Sequence, residues 1–244
     1  MKEIISYVPL AKSIPEYSKR DGSVYTCSLG YSTEKGLIRV YPIPLKGMYK
    51  WNIYKIPVER NKRDSRMESF KLASYSRKND FIGLSNDVKQ IGIIRNKQAL
   101  IQQLSNNIYP SISRMNELRI SIGLIKVNEY NVFWDNNDRF INTTQIGMFD
   151  DVEIADFTKY TKETKMKESR IKFKDADGLH NLQFNEWQYY EFQRKYGYEL
   201  DAFRNINGRG EKYLLLGNMN GYRMNWIGLG FFNLITENIL MLNL

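Results

Sequence analysis

Apolar and polar residues alternate in short runs through the first third of the chain, a pattern typical of β-strands. Branched and aromatic residues fill these runs. Turn-forming clusters at Lys19–Gly22 and Thr33–Gly36 separate them, and the glycine that ends each cluster can supply a positive φ. Strands at this spacing predict a small barrel. The predicted strands are Ile4–Val8, Ser23–Leu29, Leu37–Ile43, Ile53–Glu59 and Glu68–Tyr75.

The pattern becomes helical after residue 85. One apolar face predicts a helix over Asn86–Ser105, with Asn86 as the N-cap, and Pro110 opens a second helix over Ser111–Leu118. A β run follows from Ile120 to Val127. We therefore divide the chain into a domain of residues 1–118 and a second domain of residues 119–244.

The second domain repeats the strand-rich pattern. A hairpin over Arg170–Phe184 should turn at Asp175–Gly178, and a helix over Asn185–Gly197 should end at its glycine. The fold class predicted is α+β and strand-rich, with two small β-barrels in tandem and helical insertions. The remaining predicted strands are Asn131–Trp134, Val152–Tyr160, Tyr213–Leu216 and Asn225–Phe232.

The charge of the chain is unevenly distributed. The 36 Lys and Arg against 27 Asp and Glu give a net charge of +9. Residues 1–125 hold 21 basic and 10 acidic side chains, whereas residues 126–244 hold 15 and 17. Clustered cations favour a polyanionic partner, because binding releases the counterions condensed on a nucleic acid. The alternative is that an AT-rich genome encodes many lysines without a functional consequence.

The densest run of cations spans Lys46–Lys78, with ten Lys and Arg residues against three Asp and Glu residues. Aromatic residues lie among them, and cations beside flat rings are what a groove for single-stranded nucleic acid requires. Alternatively, the rings are core and the charges form an ordinary solvated face, in which case strand alternation buries Trp51. Stacking on bases is assigned to Tyr41, Tyr49 or Trp51. The predicted contact residues are Arg39, Tyr41, Lys46, Lys50, Trp51, Lys55, Arg60, Lys62, Arg63 and Arg66.

The sequence contains no recognisable catalytic centre. Cys27 is the only cysteine and His180 the only histidine, which excludes a thiolate zinc site and a histidine-rich site. No glycine-rich phosphate loop is present, and we expect neither a cofactor nor a metal. Asp175 and Asp177 are read as turn residues. A metal-dependent nuclease using the acidic cluster of residues 150–156 remains a minor alternative.

The C-terminal stretch Trp226–Leu244 is strongly apolar but is interrupted by Asn and Glu residues, so it does not predict a membrane span. It is either part of the core or a surface through which the chain docks on a protein partner. No signal peptide is recognised at the N-terminus, and we expect a cytoplasmic protein.

Several segments resemble a family of bacterial proteins described as containing a dual oligonucleotide/oligosaccharide-binding (OB) fold domain. The resemblance implies two OB-like barrels and association with nucleic acid, within mobile-element or phage-defence systems. Some relatives carry Cys and His near the hairpin, where this chain has Asp175 and Asp177, and a Trp-Glu pair where it has Trp187-Gln188. The similar segments are Val8–Ser13, Val24–Gly30, Gly36–Pro44, Trp51, Val58–Asn61, Asp64–Ser69, Lys172–Gly178, Glu186–Trp187, Tyr213–Asn218 and Ile227–Leu229.

Overall fold

The computed structural model describes residues 2–14, 16–17, 24–43, 47–62, 64–73, 87–135, 167–204 and 206–234. Over these residues the protein is strand-rich, as predicted. The strands are β1 (Glu3–Lys12), β2 (Glu16–Tyr17), β3 (Val24–Ser32), β4 (Gly36–Ile43), β5 (Asn52–Arg60), β6 (Ser69–Leu72), β7 (Lys89–Ile93), β8 (Ile108–Tyr109), β9 (Ile122–Lys126), β10 (Tyr130–Trp134), β11 (Ser169–Lys174), β12 (Leu179–Gln183), β13 (Glu211–Met219) and β14 (Tyr222–Leu234). The helices are α1 (Lys97–Gln103), α2 (Ile112–Glu117) and α3 (Trp187–Tyr196), with a 3-10 turn at Ser105–Asn107.

Five strands of the N-terminal half close into a barrel, which confirms the predicted small barrel. β1 pairs with β5 through Glu3–Tyr7 and with β3 through Tyr7–Lys12, so one strand joins both ends of the ring. The ring runs β1-β3-β4-β6-β5 and back to β1; β4 and β6 are parallel and the other pairs are antiparallel. β2 and β7 add to β3 and β5 outside this ring. We call these five strands the N-terminal barrel.

Alternation along the strands sorts the side chains of the barrel. On β4, Ile38 and Val40 face the interior, whereas Leu37 and Arg39 face outward. The interior is mainly apolar, and the Tyr7 hydroxyl hydrogen-bonds to the buried Ser28 hydroxyl at 2.8 Å. Its buried residues are Ile5, Tyr7, Ile38, Val40, Ile43, Met48, Tyr54, Ile56, Val58, Phe70, Leu72 and Val88.

The C-terminal half, from β8 to β14, contains two sheets around a second core. One sheet has the order β14-β13-β9-β8 and the other β10-β11-β12. A parallel bridge between Phe184 and Gly228 joins the end of β12 to β14, while β9 leads directly into β10 along the chain. The hairpin of β11 and β12 and the helix before Gly197 match the predicted ones. Residues from both sheets and from α2 and α3 line this core, among them Met115, Ile125, Phe173, Phe184, Tyr189, Leu214 and Phe231.

A third apolar cluster lies between the two halves. The outer face of β1, β3 and β4 packs against the outward face of β9, β13 and β14, and α1 covers one end. Burying this much apolar surface makes the two halves pack as one body. The shared cluster includes Val8, Leu10, Leu29, Leu37, Leu104, Leu124, Leu215, Leu229 and Phe232.

The helix predicted over Asn86–Ser105 is wrong in its first part. Residues Lys89–Ile93 form β7, which pairs with the start of β5, and only Lys97–Gln103 is helical. The cap is Asn96, whose side chain accepts a hydrogen bond from the Ala99 N–H at 2.9 Å. Apolar residues three apart suit a helix, but pairing with β5 satisfies the backbone groups of this segment instead.

Of the other elements predicted from the sequence, one is present in the structure and another lies outside the described residues. The second helix is present, capped by Ser111, but it packs in the core of the C-terminal half, and β8 pairs with β9. The predicted boundary at residue 118 leaves both elements in the first domain, so the domain division stays a prediction. Strand Val152–Tyr160 lies outside the described residues. No helix in the described part of the chain is long and apolar enough to cross a membrane.

Candidate functional site

A cleft of about 1130 Å³ separates the N-terminal barrel from the C-terminal half along part of their contact. We call it the inter-half cleft. The barrel contributes residues of β3, β4 and the β5–β6 loop, and the C-terminal half contributes residues of β12 and of the β13–β14 hairpin. The lining includes Cys27, Arg39, Tyr41, Glu59, Arg60, Asn61, Lys62, Asp64, Arg66, Lys71, Glu168, Gln183, Asn185, Asn218, Met219 and Asn220.

Local sequence explains why the barrel presents charges here. Because Val40 points into the barrel, its neighbours Arg39 and Tyr41 point out of β4 toward the cleft. The β5–β6 loop follows a strand with apolar interior residues and carries a mixed run of charged residues from Arg60 to Glu68. The strand alternation and the loop thus place the two groups of charges beside the same cleft.

Each carboxylate of the cleft is paired with a nearby cation. Lys71 Nζ lies 2.9 Å from Glu59 Oε1, Arg66 forms a double hydrogen bond to Asp64, and Arg170 pairs with Glu168. These short-range pairs consume two of the five cations that line the cleft within the described part of the chain. Among the described residues, the other three, Arg39, Arg60 and Lys62, form no ion pair with a carboxylate, although Glu68 and Asp64 lie near enough to act electrostatically on Arg39.

Arg39 and Arg66 tie the barrel to the C-terminal half at Asn218. Arg66 Nη1 donates to the Asn218 carbonyl at 2.6 Å, and Arg39 Nη2 donates to the same carbonyl at 3.3 Å. Burial alone would raise the pKa of Asp64, but hydrogen bonds from the Arg66 side chain and backbone outweigh it and lower that pKa to about 2. Asp64 therefore stays ionised and holds Arg66 in place for this contact.

Burial changes the role of Arg39. Its residue surface is only 4% exposed, and Nη1 has no hydrogen-bond partner. Burial lowers the pKa of this guanidinium, yet arginine remains charged in proteins. Arg39 therefore acts as a positive charge beneath the cleft floor and as a link between the halves. The sequence predicted that Arg39 contacts a partner directly, but its buried side chain is not accessible to one in this structure.

Lys50 and Trp51 are used in packing between the halves. Lys50 forms an ion pair with the buried Glu186, and Trp51 makes an edge contact with Phe232 at 5.3 Å between ring centroids. Trp51 also has a φ of 69°, so it lies in a turn before β5 and not in the strand alternation assumed from sequence. Neither residue lines the inter-half cleft.

The other predicted contact residues divide into three groups. Arg60, Lys62 and the half-buried Tyr41 line the cleft, although Arg60 also donates to the Ser69 carbonyl. Lys55 is exposed on β5 and is not among the lining residues. Lys46 and Arg63 lie outside the described residues.

Sequence reasoning missed the part of the cleft that comes from the C-terminal half. Asn185, Asn218 and Asn220 line it, and the side-chain oxygens of Asn185 and Asn218 are buried without a hydrogen-bond partner. No local pattern marks these residues, because their position depends on pairing between strands far apart in the chain. Lys71 belongs to the predicted basic run but was not singled out.

Asp175 acts as a turn residue, as interpreted from the sequence. Its carboxylate accepts hydrogen bonds from the backbone N–H groups of Asp177 at 2.8 Å and Ile112 at 2.9 Å, and His180 Nε2 lies 2.8 Å away. Burial by itself would raise the pKa of Asp175, but the hydrogen bonds outweigh this effect and the pKa is lowered. Within the residues described, no group of three or more His, Cys, Asp or Glu could hold a metal ion. The acidic cluster of residues 150–156 lies outside them.

Residues 7–103 match the family model described as "Domain of unknown function (DUF8758)". No curated protein matches the chain. Two solved structures are similar to it at low identity. "Crystal structure of the tetrameric p202 HIN2" has 9% identity and a TM-score of 0.33, with 96% of each chain covered. "Structural mimicry for functional antagonism" has 13% identity and a TM-score of 0.29, covering 93% of this chain and 87% of that one. TM-scores this low do not establish a common fold.

Proposed function

We propose that the protein binds nucleic acid, DNA or RNA, in the inter-half cleft without catalysing a reaction on it. The observation that carries this proposal is the excess of cations in the cleft. Its carboxylates are already paired with nearby cations, while Arg39, Arg60 and Lys62 form no ion pair with a carboxylate among the described residues. Positive charges held in a concave site focus the field on a polyanion, and a phosphodiester strand is such a polyanion.

The strand order of the barrel supports an OB-type assignment. Numbered in chain order, its strands close as 1-2-3-5-4-1, with strands 3 and 5 parallel. OB barrels bind oligonucleotides on the face of strands 2 and 3 and with the loop between strands 4 and 5. In this chain those positions are β3, β4 and the β5–β6 loop, which carry Tyr41, Arg60 and Lys62 beside the cleft.

The pairing in the C-terminal half is consistent with a second barrel of the same type. If β9 and β10 count as one bent strand, its first part pairs with β13 and its second part with β11, as β1 pairs with β5 and β3. The parallel bridge between Phe184 and Gly228 then corresponds to the parallel pair β4–β6. On this proposal, the cleft lies between two OB-type units, and both contribute to binding.

Site-directed crosslinking tests the location of the partner. In a Cys27→Ser background, a Lys62→Cys variant and a Lys89→Cys variant each receive a benzophenone maleimide. The labelled proteins are irradiated with a fluorescent oligonucleotide of about 16 nucleotides, the upper end of the site size of one OB fold. Lys62 lines the cleft, whereas Lys89 is exposed on β7 outside it.

The proposal expects a crosslinked species from position 62 and little from position 89. Equal crosslinking at both positions would show that the nucleic acid does not select the cleft. Absence of binding by the unlabelled protein to any DNA or RNA at low salt would refute the proposal itself.

The alternative functions gain no support from the described residues. The apolar residues of the C-terminal stretch up to Leu234 belong to the cores, with Trp226, Leu229, Phe231 and Phe232 buried. Docking on a protein partner through this C-terminal stretch would therefore have to use residues 235–244, which lie outside the described residues. This alternative, the nuclease activity and the role in mobile-element or phage-defence systems stay predictions.

A further inference from the structure

The tip of the β13–β14 hairpin, residues 219–225, exposes apolar side chains that the fold itself does not use. Tyr222 is 66% exposed, Met224 71% and Met219 46%. Single exposed apolar residues are ordinary, but three at one hairpin tip, beside a site for a partner, are typical of a contact surface. The neighbouring Arg223 is exposed as well.

The base of this hairpin is held rigidly. Asn218 is buried, and its carbonyl accepts the hydrogen bonds from Arg39 and Arg66, while its side-chain Nδ2 donates to the Arg223 carbonyl at 3.1 Å. Gly221, with a φ of 78°, makes the tight turn at the tip. An apolar tip on a fixed base can present its side chains in one orientation.

The tip stands between two clefts. Met219 and Asn220 line the inter-half cleft, whereas Arg223 and Met224 line a second cleft of about 700 Å³. Of the described residues, the two clefts share Arg66 and Asn218, so the tip rises from the point where they meet. The second cleft also has an excess of cations. Besides Arg66, which is paired with Asp64, Arg119 and Arg223 line it, and Glu68 is its only lining carboxylate among the described residues.

We infer that the hairpin tip is a stacking element for unpaired bases, and that the nucleic acid proposed above is therefore single-stranded. Phosphates would follow the cations of the two clefts, and bases would turn toward Tyr222 and its neighbouring methionines. A flat ring offers every base a surface for stacking, without selecting its sequence. A duplex keeps its bases stacked on one another and has none to place on Tyr222. This inference rests on the proposed function.

The test compares Tyr222→Ala with Tyr222→Phe and with a matched control, Tyr196→Ala. Tyr196, at the end of α3, is 56% exposed against 66% for Tyr222. Neither tyrosine lines a cleft itself, but Asn220 and Arg223, the neighbours of Tyr222, each line one. Fluorescence anisotropy measures the affinity of each variant for a fluorescein-labelled oligo-dT strand, for the same strand with abasic sites, and for a duplex of equal length. Circular dichroism checks that the variants fold.

Loss of one stacked base should weaken single-strand binding by Tyr222→Ala roughly fivefold to a hundredfold, and Tyr222→Phe should retain most of the affinity. Tyr196→Ala should bind as the wild type does, and abasic sites in the strand should abolish the difference between Tyr222→Ala and wild type. Wild-type affinity for Tyr222→Ala, or a duplex bound as tightly as the single strand, would overturn the inference while leaving binding in the cleft standing. A wild-type protein that binds none of the probes refutes the proposed function, and this inference with it.

Discussion

The ion pair between Lys50 and Glu186 gives the sharpest prediction about how the two halves are held together. The Glu186 side chain is 2% exposed; Oε2 accepts the Phe231 N–H at 2.9 Å and Oε1 accepts Lys50 Nζ. Lys50 comes from the turn before β5, and its Nζ also lies 5.1 Å from the centroid of the Phe232 ring. The substitution Lys50→Met removes the cation and leaves the carboxylate with one backbone donor.

The expected loss is large because an unpaired charge would remain buried. Breaking a buried pair from one side destabilises a protein by about 3–5 kcal/mol. For a chain of this length, each kcal/mol lowers Tm by about 2–4 °C, so the loss should be roughly 6–20 °C. Replacing both partners, as Lys50→Met/Glu186→Gln, removes both charges, and the amide oxygen of the glutamine can still accept the Phe231 N–H. The free energy of unfolding should therefore return to within about 1 kcal/mol of wild type.

The pH dependence of the single variant follows from the pKa of Glu186. Burial raises that pKa, and Lys50 opposes the rise through its charge and its hydrogen bond. Without Lys50 the folded-state pKa of Glu186 rises further above its unfolded-state pKa. The variant therefore loses stability as the pH increases from the unfolded-state pKa to the folded-state pKa of this group. Urea denaturation should therefore show a smaller difference between Lys50→Met and wild type near pH 5 than near pH 8.

Two results would contradict this reasoning. One is a Lys50→Met variant within about 1 kcal/mol of wild type at pH 8, because the buried carboxylate would then have found another partner. The other is a double variant as unstable as the sum of both single variants, because the pair would then contribute through packing and not through charge.

Three further substitutions test contacts described above. Asp64→Asn should lower the free energy of unfolding by about 2 kcal/mol at pH 7, since the pKa of Asp64 is lowered to about 2. The stability of wild type should approach that of the variant as the pH falls from about 4 to 2. Equal urea midpoints at pH 7 would contradict this. Gly30→Ala places a Cβ 2.3 Å from the Val8 carbonyl and 2.5 Å from the Tyr7 ring, so it should destabilise the barrel by about 3 kcal/mol or more, and a thermal midpoint like that of wild type would show that the strand can shift. Asn96→Ala removes the cap of α1 and should lower the free energy of unfolding by about 1 kcal/mol, whereas an unchanged value would mean that helix packing alone holds the first turn.

The strands of the N-terminal barrel could be predicted because short runs of branched and aromatic residues lie between turn-forming clusters. The run Leu37–Ile43 is one of them, and β4 follows it from Gly36 to Ile43. The segment Lys89–Ile93 could not be assigned in the same way, because apolar spacing there fits a helix as well as a strand. Pairing with β5, which no local window contains, decides between them.

The same difference, between local sequence pattern and contacts of distant segments, explains which residues of the candidate site could be predicted. Arg60 is the last residue of β5 and Lys62 lies in the loop that follows, and local composition was enough to identify both as candidate contact residues. Arg39 was predicted from the same basic composition, but it is buried where it donates hydrogen bonds to the carbonyls of Ser121 and Asn218, which lie far along the chain. Its position depends on how the two halves pack, which a sequence pattern within one half does not encode.

The salt dependence of binding tests the central claim most directly. Two variants each remove two cations, Arg60→Gln/Lys62→Gln in the inter-half cleft and Lys55→Gln/Lys89→Gln on β5 and β7 outside it. For each variant and wild type, the logarithm of the affinity for a single-stranded oligonucleotide is measured against the logarithm of the salt concentration. Two lost phosphate contacts should reduce the slope by about 1.4 in the cleft variant, and the slope of the other variant should equal that of wild type. An unchanged slope for the cleft variant, or an equal reduction for both, would contradict the assignment of the cleft as the binding site.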